Sequence, residues 1–143
     1  MKYIRLLAIL VFVTAVTGCA SGIKYTEFQQ KMPSISQDTG RIFFYRPSSF
    51  GAAIRPDVML NNEKVGEAIS HGFFYVDLKP GEYKVVTSTE VERTLSFVLD
   101  KGQTRYVRFS ISMGFFVGHV YGELVEPDVG VKEIEDCKYT GKP

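Results

Sequence analysis

The sequence predicts an all-β fold: an antiparallel β-sandwich of about 7–8 strands with a short C-terminal helix. Three observations predict it. From Gly40 onward, apolar residues recur with a period of two. The runs are short and separated by Gly, Pro, Asn and Asp, the residues that turns use. No long stretch of helical spacing intervenes before the tail. Residues 40–143 form one domain of about 100 residues, enough for a single core without disulfides.

The elements follow in order. Arg41-Ile-Phe-Phe-Tyr-Arg46 opens the domain as a strand apolar on both faces, which predicts a central position. "DVMLNNEKVGEAI" reads as a hairpin, because Asn61 and Asn62 tolerate the left-handed conformations of a two-residue turn. "GFFYVDLKPGEYKVVTS" reads as another. Phe74, Val76 and Leu78 share one face there, Tyr83 and Val85 share another, and Pro80-Gly81 suits a type II turn. In "RTLSFVLDKGQTRYVRFSISM", Leu95, Phe97 and Leu99 alternate with polar or opposite-facing residues, as do Val107, Phe109, Ile111 and Met113. Gly102 lies between the two runs, and antiparallel pairing is expected. "GHVYGELVEP" closes the sheet region, and Val131, Ile134 and Cys137 or Lys138 have the spacing of a short helix.

The first 18 residues have a different plan. Lys2 and Arg5 are basic, Leu6 to Val16 is almost wholly apolar, and Thr17 and Gly18 are small. This is the layout of a secretory signal, and its apolar run is shorter than the about 20 residues of a membrane-spanning helix. Val16-Thr17-Gly18-Cys19 resembles the lipobox of bacterial lipoproteins. That resemblance implies a diacylglyceryl group on Cys19, cleavage before it and a further, palmitate-class acyl chain on the new amino group. Two or more chains give stable attachment. Ala20 in place of aspartate implies, by the same resemblance, sorting to the outer membrane with the domain facing the periplasm. Residues 19–39 are rich in Ser, Gln and Lys and read as an acylated N-terminus and flexible tether.

Removing residues 1–18 leaves 15 basic and 16 acidic side chains, a formal charge of −1. Neither that balance nor any basic cluster suits nucleic acid, whose phosphates supply most of the affinity in such complexes. Once Cys19 is a thioether, Cys137 is left without a partner in the chain. It is expected to be buried as a small hydrophobe, the alternative being pairing between molecules.

The stretch "GRIFFYRPSSFGAAIRPDVMLNNEKVGE" through "GFFYVDLKPGEYKV" resembles the lipoprotein-associated domain of unknown function 2846 (DUF2846) family. The order of motifs carries the likeness: an arginine-ended aromatic strand, a Pro-Ser segment, a hairpin with a polar turn and a Pro-Gly turn. The resemblance implies a periplasm-facing sandwich and no particular activity. "LKPGEYKV" is also similar, more weakly, to the Pro-Gly hairpin of PEGA and carboxypeptidase-regulatory-like sandwiches, which are often binding or spacer modules.

Few residues offer chemistry. Ser70, His71 and Asp77 lie close in sequence, but neighbours on a strand point to opposite faces, and no G-x-S-x-G elbow is present. His119, Tyr121 and Glu123 would share a strand face that His71 could approach, without any metal-ligand spacing. Asp57, Glu63, Glu67 and Asp77 read as solvated carboxylates rather than a glycosidase pair. Arg46 and Arg55 bracket a Pro-Ser-Gly loop that could meet an anion, although a solvated, mobile loop is the preferred reading. Phe115, Phe116 and Val117 could touch lipid or a partner, or fold back over an open end of the sandwich.

The expectation is therefore a noncatalytic, lipid-anchored module of the cell envelope, without cofactor or metal, meeting an envelope protein or peptidoglycan. The alternatives are an envelope hydrolase built around His71 and His119, and a glycan-binding module with Tyr75 or Phe73 as the platform.

Overall fold

The computed structural model describes residues 19–89, 93–113 and 118–141. Nine strands, two short α-helices and a 3-10 turn are found among them: α1 (Tyr25–Phe28) running into the 3-10 turn Gln29–Lys31, β1 (Gly40–Arg46), β2 (Asp57–Leu60), β3 (Glu63–Glu67), β4 (Gly72–Leu78), β5 (Gly81–Thr87), β6 (Leu95–Leu99), β7 (Thr104–Met113), β8 (Gly118–Val125), α2 (Pro127–Ile134) and β9 (Lys138–Tyr139). A five-stranded sheet, β8-β7-β1-β4-β9, faces a four-stranded sheet, β3-β2-β5-β6. The expected sandwich with its C-terminal helix is present.

Between the sheets lies the main core. Ile42, Phe44, Phe74, Val107, Phe109 and Val120 come from the larger sheet, and Val58, Leu60, Val85 and Leu99 from the smaller. Phe44 stacks between Phe74 and Phe109, with ring centroids at 5.0 and 6.1 Å. Each such side chain contributes about 1.5–3 kcal/mol on burial. The outer face of the five-stranded sheet carries a second core, where Phe43, Tyr45, Phe73 and Tyr106 are covered by Tyr25, Ile134 and Cys137. Two cores explain why β1 is apolar on both faces, and it is the middle strand, buried along its whole length.

The turns match the sequence reading better than the pairings do. Asn61 and Asn62 have φ of 48° and 69°, and they join β2 to β3 as a hairpin. Gly102 has φ +70°, yet β6 and β7 do not pair. Gly102 N–H donates to Thr39 O and Arg41 N–H to Gln103 O, which draws the chain across to β1, where β7 pairs in parallel. The β4–β5 hairpin is corrected in the same way. Lys79-Pro80 carries the chain between sheets, and the positive-φ glycines among the described residues are Gly51 and Gly102, not Gly81. The sheets are thus not wholly antiparallel, since β4 also pairs in parallel with β9.

Part of the segment read as a tether is bonded to the sandwich. Ala20 N–H donates to Ser70 O, Tyr25 N–H to Cys137 O, and Tyr139 N–H to Ile23 O. Tyr25 and Phe28 pack edge-on against Phe73, and Phe28 stacks on Tyr139 at 4.2 Å. Aromatic burial of this size outweighs the entropy of a free linker, so Tyr25 to Met32 packs on the second core. In the tail, Ile134 and Cys137 are buried as expected, whereas Val131 is exposed and Gly130 meets the sheet instead. A Cβ at Gly130 would collide with the Tyr106 side chain.

Candidate functional site

Strand directions bring one set of loops to the end of the sandwich where β1 finishes and β4 begins. Cys19 lies there, exposed, beside Ser70 in an isolated parallel bridge, with its Sγ 4.0 Å from Ser70 Oγ. Ser70 is buried, and its hydroxyl donates to Ser48 O at 2.8 Å. The loop from Ser48 then passes Phe50, 55% exposed, and turns at Gly51, where φ is +64° and the backbone runs against the Ile111 side chain. Met113, 66% exposed, ends β7 at the same end of the molecule. Arg55 lines a shallow cleft with Cys19, Ile69 and Thr140.

Arg46 organises this end. It is 1% exposed, and its guanidinium donates to Ile54 O at 2.7 Å, Ala68 O at 3.0 Å, Phe50 O at 2.7 Å and Gly51 O at 2.8 Å. Burial holds its pKa below the usual arginine range. Its Nε has no partner among the described residues. The loop is exposed at Ser48 to Phe50, as the preferred sequence reading expects, but a buried cation staples it through three of its own backbone carbonyls and ties it to Ala68 O. Pro47 and the small residues after it did signal a loop, but nothing in the sequence separates an arginine that turns inward from one that faces water.

The other candidates are spread apart or already engaged. His71 occupies the turn before β4 with φ 51°, and His119 is on β8. Two strands, β7 and β1, stand between their strands, a separation of three spacings or about 14 Å. His119, Tyr121 and Glu123 do share the outward face of β8, where Glu123 accepts from Arg108 at 3.0 Å and from Ser110 at 3.3 Å. His119 Nδ1 is sealed from solvent without a partner among the described residues. No group of three or more His, Cys, Asp and Glu is placed to hold a metal among the described residues. Asp77 takes a bidentate bond from Arg41, both contacts at 2.7 Å, which raises the arginine pKa. Lys64 bridges Asp57 at 2.6 Å and Glu67 at 3.1 Å. Phe115, Phe116 and Val117 lie outside the described residues.

A network the sequence did not reveal joins α2 to the sheet. Tyr45 donates to Glu133 at 2.6 Å, and Arg108 donates to Glu133 at 2.7 Å. Burial, then the bond to Glu133, pushes the Tyr45 hydroxyl pKa up. Cys137 beside it is 1% exposed, and burial pushes its thiol up to about 12.

A second concavity of about 550 Å³ opens at the sandwich edge between β3 and the β4–β9 pair. Lys64, Glu67, Phe74, Tyr75, Tyr139 and Thr140 line it. Tyr75 is half-buried there, with the Arg41 guanidinium 4.4 Å from its ring centroid. Phe73 is wholly buried under α1, so it offers no platform for a sugar ring.

The family model described as "Protein of unknown function (DUF2846)" matches residues 36–120, more than half of the chain. The chain belongs to the DUF2846 family. A curated relative, an uncharacterized protein of Haemophilus influenzae (strain ATCC 51907 / DSM 11121 / KW20 / Rd), is 31% identical over 94 residues, which is 65% of this chain. The chain spans about 56% of the length of that relative. No solved structure matches. The DUF2846 match takes in β1 to β7, the Arg46 loop and the start of β8, and ends before α2 and β9.

Proposed function

We propose that this DUF2846 protein is a lipid-anchored module of the bacterial cell envelope that acts by noncatalytic binding. One observation carries the reading: Cys19, preceded by a basic, apolar and small-residue leader, is exposed at one end of the folded body. In the chemistry proposed, the Cys19 sulfur forms a thioether to a diacylglyceryl carbon. The thiol proton is lost and the donor phospholipid's phosphate headgroup leaves. Water then cleaves the peptide bond before Cys19, and the freed amine attacks a second phospholipid's acyl ester, forming an amide while the amine proton and the lysophospholipid alcohol leave. Ala20 favours the outer membrane, with the body in the periplasm beside an envelope protein or peptidoglycan. Restriction to a surface raises the effective concentration of the domain near such partners. The noncatalytic part draws support from carboxylates already occupied by Arg41, Lys64 and Arg108. Intact-mass measurement of protein from its host, together with membrane fractionation of wild type and Cys19→Ala, tests the proposal. Added acyl mass and membrane retention that vanish in Cys19→Ala are expected; an unmodified sulfur overturns it.

One observation favours a glycan-binding version. Tyr75 and Tyr139 stand together in the edge cleft with Lys64 and Glu67, apolar faces beside polar groups. Sedimentation with purified peptidoglycan should then enrich wild type over Tyr75→Ala, and equal recovery of both excludes it.

A further inference from the structure

We infer that the Cys19 end of the sandwich seats directly on a phospholipid bilayer, with Phe50 and Met113 entering its interface, so that the domain is held in one orientation. The inference rests on the anchor reading above and deepens it.

Its first basis is the lack of slack. From Ala20 to Tyr25 the chain is bonded to Ser70, Tyr139 and Cys137, and Ala20 itself is buried. Gly22 lies so close to the Tyr139 carbonyl that any Cβ there would collide with backbone, so this stretch is a fitted clasp. Acyl chains on Cys19 therefore pull on the body of the domain itself.

The second basis is what surrounds Cys19. The contacts run from Cys19 through Ser70 and Ser48 to Phe50, then from Gly51 to Ile111, and from Ile54 past Gly118 to Met113. Phe50 and Met113 are two of the most exposed large apolar side chains among the described residues, and both belong to this one end. The apolar run Leu6–Val16 also joins the described structure here, at Cys19. Whether the leader is cleaved or retained, the chain's membrane-seeking material enters at the same place. The opposite end, with the Gly102 turn, lies about 30 Å away along the ten residues of β7.

The chain has no tryptophan, so single substitutions report depth without interference. Phe50→Trp, Met113→Trp and Lys101→Trp would be purified with their acyl chains and reconstituted into phosphatidylethanolamine–phosphatidylglycerol vesicles containing brominated phosphatidylcholine. Emission at positions 50 and 113 should be blue-shifted and at least roughly halved by bromine at interfacial depth, and emission at 101 unchanged. Adding Gly22→Val, which opens the clasp, should abolish the quenching at position 50 while the protein stays vesicle-bound. Vesicle-bound protein whose position-50 emission matches that at 101 overturns the seating and leaves the anchor standing. Quenching that survives Gly22→Val overturns the clasp. Protein with an unmodified Cys19 by mass that fails to bind vesicles refutes the anchor and the seating together.

Discussion

Substituting Arg46 by methionine keeps most of the buried stem and removes the guanidinium. Four backbone carbonyls, those of Phe50, Gly51, Ile54 and Ala68, then lose their donor. Hydrogen bonds from a charged donor are worth about 1.5–3 kcal/mol each. Against their sum stands the penalty of burying the guanidinium, several kcal/mol, which the variant is spared. Three of the carbonyls belong to a loop near solvent and can take water, whereas Ala68 O, bonded in the interior, is left unsatisfied. The balance is a destabilisation of about 3 kcal/mol. For a domain of about 100 residues that lowers Tm by about 12–24 °C. Urea unfolding measures the free energy, and amide hydrogen exchange locates it. Protection of the Ile54 amide, which donates to Gly51 O, should fall first. Arg46→Lys retains the charge with fewer donors and should lie between. A midpoint for Arg46→Met within about 1 kcal/mol of wild type would show that the loop does not depend on the staple.

Four further outcomes are expected. Cys137 has a folded pKa raised by burial from 9.0 to about 12, so its contribution to stability is complete below pH 9 and is lost as pH climbs toward 12. At about 1.36 kcal/mol per pH unit the loss is on the order of a few kcal/mol, and it is absent from Cys137→Ala. In Cys19→Ala an aromatic disulfide reagent at pH 8 should leave Cys137 unreacted until urea unfolds the protein, and a nonreducing gel should show monomer. Gly130→Ala, which raises the propensity of a helix residue by about 1 kcal/mol, should instead destabilise by about 1–3 kcal/mol because the new methyl meets Tyr106; a raised Tm contradicts that contact. Tyr45→Phe removes the donor to Glu133 and should reduce stability by about 1–3 kcal/mol in urea, and much less when Glu133→Gln is already present.

Periodicity identified nearly every strand, because a half-buried strand must alternate whatever its partner is. Partner choice was another matter. Lys79-Pro80 and Asp100–Gln103 both look like hairpin turns, but a reversal of direction within one sheet and an arch between two sheets use the same residues. Only Asn61-Asn62, two consecutive residues at positive φ, specified a pairing. The amino-terminal clasp hid behind composition. Ser, Gln and Lys suggested a linker, although Tyr25, Phe28 and Met32 already had the spacing of one helical face, and all three pack on the second core. At the candidate site, Cys19 stood out because the basic, apolar and small residues before it are neighbours in sequence. Arg46 and the Tyr45–Glu133–Arg108 network did not, since each joins residues that only the tertiary fold brings together.

The parallel pairing of β1 with β7 has a kinetic consequence. Arg41 lies opposite Thr104, so the middle strand has no partner on that side until most of the chain has been made. Closing so long a loop is entropically costly, and topologies of this kind fold in milliseconds to seconds. A nascent chain therefore presents an aromatic strand with an open hydrogen-bonding edge for an extended interval, which is the form that self-associates most readily. The bond from Tyr25 to Cys137 forms later still. Shortening the carboxyl terminus before residue 137 would consequently unlatch the front of the molecule first.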